Sequence, residues 1–254
     1  AIMNAAGTWM WNNRTHGELK WTTIETEHFN IHYHQNLDKI ALQGASIAEQ
    51  IRPTLMKQMG LESLPTLDII FTAEDEVLNG FAVPANYTII WVDQNDAALW
   101  TGDEKWLRTV LAHELQHLVY FNTVKGPWWL PEPMNSLAHG TPAWIVEGIA
   151  EYFTEEWRPF RYELSHRYHV LRNTVHKIQD PHNDGYSKSL YLADRFGDST
   201  ISKILNHRNK LKFLDFKESF KKHTGITLKQ FNEDWRRQMN TFYFSQRSQK
   251  ERLE

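Results

Sequence analysis

The chain has 254 residues, 41% of them hydrophobic, with 28 basic against 31 acidic side chains, a formal net charge of -3 and no cysteine. That length and apolar content suffice for one large domain or two closely packed subdomains, and the near-neutral balance argues against nucleic acid or an anionic membrane surface as partner. Without cysteine, disulfides and thiolate zinc sites are excluded, so any transition-metal site must be assembled from the 13 histidines and the carboxylates.

No run of residues is long and apolar enough to span a bilayer, and the start at Ala1 lacks a basic region followed by an apolar one. Any targeting segment is therefore expected to have been removed. The 11 tryptophans include pairs in irregular segments, Trp9 with Trp11 and Trp128 with Trp129, which read as loop packing.

The segment from Trp21 to His34 alternates, with Phe29, Ile31 and Tyr33 on one side and His28, Asn30, His32 and His34 on the other. It reads as one strand with a buried apolar face and a solvated histidine face. Ile40, Ala41, Ile47, Ile51, Leu55 and Met59 recur at helical spacing, predicting a helix over 37–59 with Pro53 as a possible kink. Leu67 to Phe71 and Tyr87 to Val92 read as strands.

After residue 100 the pattern turns helical. Thr101-Gly-Asp-Glu104 has the form of a capping box opening a helix to about Phe121, and Thr141-Pro142 places a cap and a proline at the start of another. Between them, Asn122 to Gly140 reads as a long ordered loop. From Tyr162 to Met239 the period is helical, and the polar tail after Phe244 is expected to fray. The expectation is one α+β domain over 1–254: a mainly sheet half over 1–100, a mainly helical half over 101–245 and a polar tail over 246–254.

His113-Glu114-Leu-Gln-His117 is an HExxH pentapeptide. Four residues make slightly more than one turn, so both imidazoles project from one face and can meet one ion, with Glu114 beside them to take a proton from a water. Val110, Leu111, Leu118 and Phe121 argue that this helix is buried, against the bland reading of surface histidines. Glu147, on the apolar segment Trp144-Ile-Val-Glu-Gly-Ile-Ala-Glu-Tyr152, is the expected third ligand, because an unpaired carboxylate on such a helix would be costly. Glu151, one turn on, is the expected hydrogen-bond partner of a ligand histidine, His113; the alternative is an exposed helix-end glutamate.

An HExxH helix followed by a Trp-Ile-Val-Glu-Gly-Ile-Ala-Glu-Tyr helix resembles the gluzincin clan of zinc peptidases, which includes thermolysin and the zinc aminopeptidases, and is most similar to bacterial peptidase-MA-like domains. The close match covers Trp106 to Leu118 and Thr141 to Phe153; Asn79 to Pro84 and Tyr186 to Tyr191 match more loosely. The resemblance implies a mixed sheet packed on a helical half, with the strand Gly80, Phe81, Ala82 and Val83 lying along the cleft and pairing with an extended substrate. It implies a tyrosine or histidine that stabilises the oxyanion: Tyr186, with Tyr191 and His182 as reserves.

It further implies one Zn2+ per chain, a peptide or protein substrate, a periplasmic or secreted bacterial setting and, in the full-length protein, a fused β-propeller. Zinc aminopeptidases carry a glutamate on the cleft strand that binds the substrate amine; Gly80 to Asn86 has no acid. An endopeptidase is therefore the leading expectation. The alternatives are a catalytically idle metal-binding module for peptides or proteins, an aminopeptidase, or another zinc hydrolase such as an amidase or epoxide hydrolase.

Overall fold

The computed structural model describes residues 17–74, 80–92, 103–126, 140–154, 160–175 and 181–250. The tryptophans at 9, 11, 128 and 129, the Thr101-Gly102 start of the capping box and most of the loop before Gly140 lie outside them. The fold is α+β. Five strands form one mixed sheet: β1 (Trp21–Glu25), β2 (Phe29–His34), β3 (Leu67–Thr72), β4 (Gly80–Val83) and β5 (Tyr87–Trp91). Eight helices occur among the described residues: α1 (Asp38–Met59), α2 (Asp103–Thr123), α3 (Ala143–Thr154), α4 (Phe160–Leu171), α5 (Pro181–Phe196), α6 (Ser199–Asn206), α7 (Phe216–Thr224) and α8 (Leu228–Lys250). None is long and apolar enough to cross a membrane. The chain divides into two compact units, 1–123 and 124–254.

In the first unit the strand order is β1-β2-β3-β5-β4, with β2, β3 and β5 parallel and the outer pairs β1/β2 and β4/β5 antiparallel. The alternating stretch from Trp21 is thus a hairpin and not one strand. Its turn forms because the Thr26 amide donates to the Phe29 carbonyl, while Glu49 of α1 accepts from Thr26 Oγ1 and the His28 amide and lies 2.8 Å from His28 Nδ1. The apolar side chains Phe29, Ile31, Ile69 and Phe71 are fully buried. α1, unbroken by Pro53, packs on β2, and α2 packs on α1, β4 and β5.

The histidine face of β2 is not simply solvated. His34 is buried, with Nε2 accepting from the Ala73 amide. His32 is held between Thr23 Oγ1 at 2.9 Å and Asp68 Oδ1 at 3.0 Å, and Asn30 donates to the same Asp68 oxygen. A strand face with polar neighbours directly opposite builds cross-strand pairs instead of leaving its side chains to water.

The second unit is helical. Val170, Val175, Trp235, Met239 and Tyr243 make one core cluster, with Tyr191 packed against it, and Phe231 joins Trp144, Tyr191 and Phe220 by ring contacts. α8 continues to Lys250, past the point where fraying was expected. In the added turns Gln246 Oε1 accepts from Arg167 of α4.

Candidate metal centre

α2 carries the HExxH pentapeptide and is buried on most sides, with Leu107, Leu111, Leu115 and Leu118 at 0–1% exposure. His113 and His117 occupy a less enclosed flank. Their rings are 4.9 Å apart and nearly perpendicular, and the two Nε2 atoms are 3.2 Å apart. Two zinc–nitrogen bonds meeting at the tetrahedral angle would put their nitrogens about 3.3–3.4 Å apart, so the pair has the bite of one ion. The His117 ring also lies nearly parallel to that of Phe121, with centroids 6.4 Å apart.

Glu114 is buried against β4. A Cβ added to Gly80 would stand 2.5 Å from Glu114 Cγ, 2.7 Å from Oε1 and 2.8 Å from Cδ. Along β4 the side chains alternate: Gly80 faces α2, and Phe81 packs with Ile70, Ile89 and Trp91 on the opposite face of the sheet. Thr88 Oγ1 donates to the Phe81 carbonyl. β4 is an edge strand, as the cleft reading requires, but the Phe81 side chain belongs to the sheet core.

In the second unit Glu147 and Glu151 stand one turn apart on α3, and both are met by His182 from the first turn of α5. His182 Nδ1 lies 2.9 Å from Glu151 Oε1 and 3.5 Å from Glu147 Oε2. The Glu151 side chain is fully buried and that of Glu147 is 26% exposed. Two helices can approach this closely because glycines face each other where they cross: a Cβ on Gly148 would lie 2.5 Å from the Gly185 carbonyl carbon, and one on Gly185 would lie 2.8 Å from Gly148 Cα.

Glu151 is thus no exposed helix-end residue, and it meets the His182 ring. Tyr186, one turn beyond His182, is buried with its ring against Tyr152. The Tyr152 hydroxyl donates to Asp198 and is pushed up to about 12, first by burial and then by the Asp198 charge. Tyr191 lies on another side of α5, its ring on Phe231 and its hydroxyl accepting from Arg195.

Sequence reasoning placed His182 only in reserve, because a histidine after a helix-opening proline has no distinguishing period; the opposed glycines carried no signal either, since their meaning depends on which helices cross. No protein-family model matches the chain, and no curated protein matches it.

Proposed function

We propose that the protein is a zinc-dependent metallopeptidase in which His113, His117 and Glu147 hold one Zn2+ and Glu114 is the catalytic base. The observation that carries this reading is the 3.2 Å separation of the two Nε2 atoms on a buried helix whose intervening glutamate is itself confined. The donor set fits: two imidazoles and a carboxylate without thiolate are a catalytic zinc set that leaves a position open for water. A zinc ion so held supplies Lewis acidity and lowers the pKa of a water toward neutrality.

The remaining chemistry belongs to the chain. Glu114, ionised at the outset, takes the proton of the attacking water, passes it to the leaving amine and is thereby regenerated, so its carboxylate must be correctly aimed. Oxyanion stabilisation falls to a donor from α5. His182 is the member of that helix whose ring stands beside Glu147, and Tyr186 is the tyrosine nearest to it in the helix. β4, with no acid between Gly80 and Val83, offers a peptide only backbone groups and small side chains on its α2 face. Backbone pairing favours an extended internal segment over a free amino terminus.

The test is elemental analysis of protein never exposed to chelator, followed by digestion of a broad peptide library with acetylated and free-amine members. One zinc per chain and cleavage of both sets are expected. Protein lacking zinc overturns the reading, and release of single residues from free-amine peptides alone overturns the endopeptidase assignment.

A further inference from the structure

Gly80 sits where β4 passes under α2, and its hydrogen side chain is the only one that leaves room for the Glu114 carboxylate in the observed position. Its φ is not positive, so the backbone there would accept alanine. The three atoms that a Cβ would meet all belong to the Glu114 side chain from Cγ outward, at 2.5–2.8 Å, well inside the carbon contact distance of about 3.5–4.0 Å, and all three move when the side chain rotates about its Cα–Cβ bond. The clash can therefore be relieved by turning Glu114 aside, with no movement of α2 or of the sheet. We infer that Gly80 is a positioning residue: its missing side chain sets the direction of the Glu114 carboxylate, so that strand β4 aims the base as well as forming the sheet edge.

This inference rests on the role proposed for Glu114, but the contact can be tested apart from it. Gly80→Ala should fold normally, keep the zinc content of the parent and unfold at the same temperature or about 1–3 °C higher, because alanine narrows the unfolded ensemble at a position whose backbone tolerates it. A crystal structure of the variant should show the Glu114 carboxylate displaced by about 1 Å or more, with the α2 backbone superimposing on the parent. Turnover of a peptide cleaved by the parent should fall about 100-fold, and mainly in kcat. In a Glu114→Ala background, where no side-chain atom remains beyond Cβ to meet the added methyl, Gly80→Ala should lower the residual turnover by less than about 10-fold.

An undisplaced Glu114, or a Gly80→Ala enzyme with parental kcat, overturns the inference and leaves the peptidase reading intact. Loss of zinc or a lowered unfolding temperature also overturns it, by making Gly80 a structural residue. A parent without zinc or turnover sinks the peptidase reading, while the displacement of Glu114 still decides whether Gly80 sets its position.

Discussion

On α2 the two imidazoles and the carboxylate come from five consecutive residues, and one helical turn sets their spacing. In the helical unit, Glu147, Glu151 and His182 come from two helices, and their convergence depends on Gly148 and Gly185 letting those helices touch. The first arrangement is local and survives any packing that keeps α2 helical. The second is made by tertiary contact and fails if the crossing opens. Side chains of the first kind keep their spacing when neighbouring elements change; those of the second are sensitive to residues, such as Gly148 and Gly185, that carry no polar side chain of their own.

The sharpest way to break this contrast is to ask whether both regions contribute to one metal site. Glu147→Ala should lower zinc affinity by more than about 100-fold in a competition titration, as should His113→Ala, because the proposed set makes each a direct ligand. Glu114→Gln should retain the metal and lose turnover by about 100- to 10,000-fold, since the base is not a ligand. If Glu147→Ala binds zinc like the parent, α3 supplies no ligand and the metal belongs to α2 alone.

The same contrast explains what could be read from the sequence. The helical spacing of His113 and His117, the buried faces of β2 and β3 and the α+β class follow from period and composition, which are local properties. Ile31 and Ile69, for example, announce buried strands without any knowledge of their partners. The break at Thr26 to His28 was hidden because alternation continues across the hairpin, and the local Thr26–Phe29 bonds are reinforced by Glu49, 21 to 23 residues away, which no short window contains. The pairing of His182 with Glu151 spans 31 residues and two helices. No single window contains both, and the same holds for Gly148 with Gly185.

Opening the helix crossing should come next in size. Gly148→Ala places a methyl against the Gly185 carbonyl and Ser189 Oγ, and backbone cannot turn aside as a side chain can. A loss of about 3 kcal/mol is expected by chemical denaturation, at the upper end of overpacking costs. A neutral Gly148→Ala would show that α3 and α5 can separate at little cost, and the convergence on His182 would then be soft. Removing the His182–Glu151 contact itself should cost less: His182→Ala takes away a hydrogen bond to a buried carboxylate, about 1–3 kcal/mol. If His182→Ala changes neither stability nor zinc affinity, Glu151 is satisfied by its other neighbours.

The smallest expected effect separates the two units by their response to acid. In the helical unit, His223 is held below its ordinary 6.5, first by burial and then by the charges of His207, Lys222 and Lys203. The folded protein therefore resists a proton that the unfolded chain accepts. Stability from this group is full above pH 6.5 and declines as pH falls from there toward the folded value, because over that interval the unfolded state binds more protons. In the sheet unit the corresponding group is Glu49. Burial pushes its pKa up, but hydrogen bonds from Thr26 and His28 outweigh it and hold the carboxyl below its ordinary 4.5. Its contribution is present above pH 4.5 and is lost only as pH falls through the folded value. Hydrogen exchange followed from pH 7 to pH 4 should thus show amides of α7 losing protection first, with amides of β2 and α1 changing only at the acid end. His223→Phe should flatten the early loss while leaving the later one in place. Equal loss of protection in both regions near pH 6, or an unchanged profile in His223→Phe, would mean that a different group governs the first acid transition.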